Sequence, residues 1–319
     1  MPKKKSKSSL GISIIIPNLN GQNYLSQLIY SLDKAIKNTP SLSFEIILVD
    51  NNSSDDSIKI FQSELKHPHS SIIFNLKNTG FAAAVNQGIN KAKFSWICLL
   101  NNDLRLHPDF FKNFLPHLSS KPKHHTLCGT ILEQNGVFIE SQGVSFYTSG
   151  KCTQNHHHQT YKDKPPHTVW GASGAATLYH KQTLKELGLF DKHFFAYIED
   201  VDLSYRLHTL NYSTFCVPQS LSYHVGGATS DTLGNLRAFY SYRNWYLLIL
   251  KNYSKKKILK HLPQILTQRL RDYSFFLSQT KTLFWLPHTL SIHIQILALL
   301  PYLITQNRRF HNLLKSKQL

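Results

Sequence analysis

Apolar runs and amphipathic stretches alternate along the first hundred residues. Gly11 to Pro17 (GISIIIP) and Phe44 to Asp50 (FEIILVD) are apolar, rich in β-branched residues and closed by a proline or an acid, which predicts two buried strands. Between them Leu25, Leu28, Ile29, Leu32 and Ile36 recur at helical spacing over Tyr24 to Ile36. The chain therefore opens β-α-β, which predicts a parallel pair. Ser57 to Leu65 repeats the helical pattern, Ile72 to Asn75 predicts a short strand and Phe81 to Lys91 a helix of small residues. Phe94 to Leu100 predicts another buried strand, ending in Asn101, Asn102 and Asp103. This alternation predicts a layered α/β domain with a mainly parallel sheet and polar groups gathered at the C-terminal ends of its strands.

Residues 141–168 are polar and histidine-rich, include Pro165 and Pro166, and predict a loop or insertion. Order resumes with a strand-like segment from Trp170 to Tyr179, a helix near Lys181 to Leu187 and a turn from Gly188 to Asp191. Beyond about Asn235 the composition shifts to basic and aromatic helices. The layout is a disordered basic tail over 1–9, a main domain over 10–235 with halves meeting near 105, and a helical region over 236–319.

The 319 residues are 41% hydrophobic and 17% charged, which places the chain among globular proteins and excludes disordered and polytopic membrane classes. Of the formal charge of +18, residues 1–9 hold +4 and residues 251–319 hold +11, leaving +3 for the body. Basic ends beside an apolar segment suit an anionic membrane surface better than nucleic acid, whose readers carry basic stripes on the folded core. The apolar segment 282–307 has no formal charge and is long enough to span a bilayer. Pro287, Pro301, His288, His293 and Gln295 interrupt it, so it reads as an interfacial helix or hairpin anchored by Trp285, Lys281, Arg308 and Arg309. Leu10 to Pro17 is too short for a secretory core, and Cys98, Cys128, Cys152 and Cys216 form no CxxC pair. The expected place is the cytoplasm, peripheral on the inner face of the cell membrane.

The first β-α turn reads PNLNG and lacks the glycines of a dinucleotide fingerprint, which argues against hydride transfer. Two acids instead close strands, Asp50 and Asp103; such carboxylates can accept ribose hydrogen bonds or hold a hard cation against a diphosphate. His156, His157 and His158 form a run, but no Cys or carboxylate at ligand spacing in sequence completes a metal site. Asp202 and Arg206 stand at i,i+4 and read as a structural helix pair.

The blocks SIIIPNLNG, EIILVDNNSSDDS, NTGFAAAVNQGI, LLNNDL, WGASGAATLY, GLFDKHFFAYIEDVDLSYRL and YHVGGATS occur in the order of family 2 glycosyltransferases. The chain resembles that family over roughly residues 11–230, and more narrowly its rhamnosyltransferase-like branch; the later RNWYLLILKNYS is similar to a segment of that branch. The resemblance implies the nucleotide-diphospho-sugar transferase (GT-A type) fold. It also implies inverting transfer of a sugar, with rhamnose as one donor, from a nucleotide diphosphate to a lipid-linked or surface polysaccharide acceptor. A divalent metal, Mn²⁺ or Mg²⁺, is implied as cofactor. By the same resemblance Pro17, Asn18 and Asn20 would line the end of the first strand in the nucleotide-sugar site, Asp50 with Asn52 would hold the nucleoside, and Lys77, Asn78, Gly80 and Asn86 would flank the nucleotide pocket. Asn101-Asn102-Asp103 stands where the family has an acid pair on the metal diphosphate; the first acid is missing, so Asp103 supplies the carboxylate and His224 completes the metal site. Asp200 would be the general base, Glu199 would orient it or the acceptor, and Trp170, Gly171 and Gly174 would meet the sugar or acceptor. Two other classes fit less of the chain: a nucleotide-sugar-binding protein without catalysis, which Asn101 and Asn102 favour, and a basic nucleic-acid-binding protein.

Overall fold

A computed structural model describes residues 10–224, 235–279 and 285–317. The basic tail, Lys281, the first residues of the apolar segment and the end of the YHVGGATS block lie outside the described residues, as does the Trp285 side chain.

The first hundred residues follow the predicted order: β1 (Gly11–Asn18), α1 (Gln22–Lys37), β2 (Ser43–Asp50), α2 (Ser57–Glu64), β3 (Ser70–Phe74), α3 (Phe81–Lys91) and β4 (Trp96–Leu100). β5 (Leu104–Leu106), α4 (Phe110–Phe114), β6 (Thr126–Glu133) and β7 (Ile139–Ser141) follow. Next come β8 (Val144–Phe146), β9 (Cys152–Gln154), β10 (His167–Val169), β11 (Ala176–His180), α5 (Lys181–Leu187), α6 (Glu199–Thr209) and β12 (Thr214–His224). The helices α7 (Asn235–Asn252), α8 (Lys255–Lys260), α9 (Leu262–Gln279) and α10 (Trp285–Lys317) complete the described chain.

One ten-stranded sheet runs β10-β12-β6-β11-β4-β1-β2-β3, with β5 on β12 and β7 on β6. β3, β2, β1 and β4 are parallel neighbours, whereas β11 is antiparallel to both β4 and β6. The order reverses between β1 and β4, and in open α/β sheets a ligand crevice forms at such a point beyond the strand ends. Asn18 closes β1 there, and Asn101 to Asp103 follow β4.

Strand alternation sorts the core. Ile12, Ile14 and Ile16 pack with Leu25, Leu28 and Leu32 of α1 on one face, and Ile15, Ile47 and Val49 pack with Ala82, Val85 and Ile89 of α3 on the other. A third cluster joins Val201 and Tyr205 of α6 to Phe239, Tyr242 and Leu247 of α7 and to Ile292, Leu303 and Phe310 of α10. The change of composition near residue 235 is thus no break in packing, because the helices after it share a core with the helix before it.

Two expectations change. Residues 141–168 are not simply a loop: β8 and β9 form an antiparallel hairpin, and β10 adds to the edge of the main sheet. The strand predicted from Trp170 begins only at Ala176, because residues 170–175 cross beneath α6. There a Cβ on Gly171 would lie 2.6 Å from Ser204 Cβ, which excludes a side chain.

Candidate active site

A cavity of about 410 Å³ opens beyond β4 and is lined by Asn101, Asp103, Glu140, Gly174, Glu199, Asp200, His224 and Arg237, among others. Three sequence-distant segments, the turn after β4, strand β7 and the start of α6, therefore deliver four carboxylates to one cleft. A diphosphate entering it would meet strong like-charge repulsion, offset among the described lining residues by Arg237 and His224.

Asp103 is 2% exposed. Its Oδ2 stands 3.1 Å from His224 Nε2, and His224 Nδ1 stands 2.7 Å from Glu140 Oε2. Burial opposes protonation of His224, but the hydrogen bonds and charges of Asp103 and Glu140 prevail and raise it to about 10. Asp103 Oδ1 and Asn101 Oδ1 are buried without a hydrogen-bond partner. Such orphaned oxygens call for a missing partner, and two oxygens beside an imidazole nitrogen are a donor set for a divalent cation. The residues fit a metal: it would replace the proton between Asp103 and His224, while Glu140 on the far ring nitrogen fixes the tautomer. Asn102 turns the other way, its Nδ2 donating to Asn18 Oδ1 at 2.8 Å.

The Glu199-Asp200 pair begins α6. Asp200 Oδ2 accepts from Gly174 N at 2.9 Å and Oδ1 from Val201 N at 2.8 Å. Gly174 packs closely on the acid: a Cβ there would lie 3.2 Å from Asp200 Cβ and would press on it. Burial raises the Asp200 carboxyl above its ordinary range, against the lowering effect of these N–H groups. Glu199 is pushed well up, first by burial and then by the charge of Asp200, and its Oε2 has no partner.

The residues expected to serve the nucleoside lie outside the lining of this cavity, and several are held by local hydrogen bonds. Asp50 turns its carboxylate to Asn18 Nδ2 (2.9 Å), Ser53 N (3.0 Å) and Ser53 Oγ (2.5 Å). Asn20 Oδ1 accepts from Ser54 N, and Asn78 Oδ1 from Gly80 N. Pro17 is buried in β1, whereas Asn52 and Lys77 are exposed. Asn86 is not at the cleft: its amide holds both the N–H and the carbonyl of Phe190, at 3.1 and 2.7 Å. Trp170 also lies outside the lining, stacked on Phe146 with centroids 4.7 Å apart and planes at 10°, so that ring face is covered. Gly171 packs on Ser204 and makes its close approach to α6.

Sequence reading missed Glu140, the β9 residues Cys152, Thr153 and Gln154, and the α7 residues Arg237, Ser241 and Trp245, all of which line the cleft. The shift in composition near Asn235 and the block beginning Arg243-Asn244-Trp245 pointed to α7, and nothing local marked Glu140.

Residues 13–188 match the family described as Glycosyl transferase family 2. Poly-beta-1,6-N-acetyl-D-glucosamine synthase of Staphylococcus epidermidis is 23% identical over 248 residues, covering 76% of this chain and 55% of that protein. The Staphylococcus aureus (strain COL) synthase of the same name is 24% identical over 216 residues, covering 65% and 48%. The chain spans about half the length of these curated relatives. Among solved structures, S. aureus TarS 1-349 superposes with a TM-score of 0.57 at 14% identity, covering 97% of this chain and 91% of that one. GalNAc-T7 with UDP, GalNAc and Mn²⁺ gives 0.58 at 17% identity, covering 80% and 50%. These likenesses establish a GT-A fold. The relatives named are poly-N-acetylglucosamine synthases, so the narrower likeness to a rhamnosyltransferase branch finds no support among them.

Proposed function

The chain belongs to glycosyl transferase family 2, and on that premise we propose that it is an inverting glycosyltransferase moving a sugar from a nucleotide diphosphate to a glycan or lipid-linked acceptor. The observation that carries the reading is the convergence of Asp103, His224, Glu199 and Asp200 on one cavity beyond the end of β4. A divalent cation held by Asp103 and His224, with the Asn101 amide oxygen beside them, would neutralise the charge developing on the departing diphosphate. Asp200 is the base: anchored by two backbone N–H groups, it takes the proton of the acceptor hydroxyl as that oxygen attacks the anomeric carbon. Glu199 stays protonated beside it and orients the acceptor. Arg237 meets the diphosphate from α7.

The missing first acid at Asn101 favours a second reading, a nucleotide-sugar-binding protein without turnover. Purified protein assayed with Mn²⁺ or Mg²⁺ separates them. The panel sets dTDP-rhamnose, on which the motif resemblance bears, against UDP-GlcNAc, which a TarS structure holds. Release of free nucleotide diphosphate supports the transferase, and binding without release supports the second reading.

Membrane attachment is part of the proposal. Residues 287–317 form a helix apolar enough to cross a bilayer by length and composition. Its inner side is tied to the domain, however: Tyr302 donates to Asp191 at 2.9 Å, and Asn307 to the Leu250 and Tyr253 carbonyls. Its outer side exposes Leu290, Ile294 and Leu297. A helix docked on one face and apolar on the other suits the interfacial plane of an anionic membrane.

A further inference from the structure

The histidine run at 156–158 has no partner acid nearby in sequence, but the fold brings one from β6. His158 Nδ1 lies 2.6 Å from Glu133 Oε1. The ligand atoms of Glu133, His157 and His158 all fall within 4.8 Å of one another. The two imidazoles are 4.0 Å apart between centroids.

The turn that carries them is pinned. His158 N donates to the Ile139 carbonyl at 2.8 Å and Ile139 N to the Gln159 carbonyl at 2.8 Å. His156 and His158 adopt φ of 58° and 59°, a left-handed backbone that is strained for a non-glycine residue. That strain presents His157 and His158 side by side over Glu133. His156 does not join them, since its Nε2 faces Lys164 Nζ at 3.4 Å.

We propose that Glu133, His157 and His158 form a second metal site, outside the cleft, for a transition ion of the Zn²⁺, Co²⁺, Ni²⁺ or Cu²⁺ class. Two imidazoles with one carboxylate suit these ions, whereas Mg²⁺ prefers an all-oxygen shell. His157 Nδ1 is 3.1 Å from the Glu140 carbonyl. Donating there leaves Nε2 as the free ligand nitrogen, the usual support for a metal-bound histidine. Solvent completes the shell on the exposed side. The ion acts as a staple: it fastens the turn after β9 to β6, around the short strand β7 whose Glu140 side chain holds His224. β9 itself lines the cleft.

The test uses full-length protein without an affinity tag, stripped with chelator, in an Asp103→Ala background so that the cleft binds no ion. Co²⁺ titration followed by visible absorption, and Zn²⁺ titration followed by calorimetry and thermal melting, should show one ion bound with a raised Tm. His157→Ala, His158→Ala and Glu133→Gln should each weaken binding by about tenfold or more, while His156→Ala leaves it unchanged. His157 and His158 are exposed, so their variants keep the fold, and circular dichroism verifies it. Absence of Co²⁺ bands and of Zn²⁺ heat overturns the proposal. Binding that survives the His157→Ala/His158→Ala double variant overturns it equally, as does a loss in His156→Ala matching the others.

Discussion

Asn244 Nδ2 donates to the carbonyl of Tyr197 at 2.7 Å, joining α7 to the turn that delivers the acidic pair. The same amide reaches the carbonyls of Phe194 and Ala196, and Arg243 holds those of His193 and Phe194. Phe195, Tyr197 and Ile198 in that turn have positive φ, a strained backbone that persists only where its surroundings hold it. Asn244→Leu keeps the volume and takes their side-chain donor from the Ala196 and Tyr197 carbonyls, while Phe194 keeps Arg243. Expected is a loss of about 2–4 kcal/mol in stability, read by urea denaturation, and a fall in kcat larger than any change in donor KM.

Asp200→Asn preserves shape and removes the proton acceptor. Turnover should drop by about 10²–10⁴-fold with nucleotide affinity unchanged in calorimetry. Wild-type turnover in this variant would move the base to another group.

Glu199 gives stability a pH dependence of defined sign. Burial and the neighbouring Asp200 raise its folded value well above the ordinary 4.5, so the folded state keeps the proton after the unfolded chain has lost it. Its contribution is full below about 4.5 and is lost as pH rises toward the folded value, by at most about 1.4 kcal/mol per pH unit. Glu199→Gln should flatten this decline and be more stable than wild type at neutral and higher pH. Urea midpoints between pH 5 and pH 8 measure it, and identical slopes in the two proteins would count against a protonated Glu199.

Asp103→Ala should abolish metal-dependent nucleotide binding, because Asn101 and Asn102 offer no replacement carboxylate. Asn101→Asp supplies a second acid facing the cleft and should tighten Mn²⁺ binding. Calorimetry with Mn²⁺ and nucleotide reads both changes.

Membrane attachment calls for surface variants, since deleting 251–319 would also remove Lys251, which lies 2.9 Å from the fully buried Asp202. Breaking such a buried pair costs about 3–5 kcal/mol. Leu290 and Leu297, 60% and 63% exposed, can be changed to Gln without disturbing the core. The double variant should sediment less with anionic vesicles, and high salt should weaken the intact protein's binding. Retention through alkaline extraction would indicate a spanning helix instead.

Local periodicity determined the α/β order of the first hundred residues, because Ile12, Ile14 and Ile16 alternate with the strand and Leu25, Leu28 and Leu32 with the helix, each needing only neighbours in sequence. The motif blocks likewise singled out Asp103, Asp200 and His224, which stand at strand and helix ends and line one cavity. Asp202 and Arg206 were legible as an i,i+4 pair, and they do form a 2.8 Å ion pair. What only the tertiary structure decided is the company these residues keep. Lys251 and Asn252 join Asp202 from α7, Glu140 turns to His224, and Glu133 meets His157 and His158. Asp50 and Asn86, which matched the family blocks, spend their polar atoms on Asn18 and Ser53 and on Phe190. Such pairings depend on sheet register and on helices docking across long sequence separations, and the pattern along a single chain does not encode those distances.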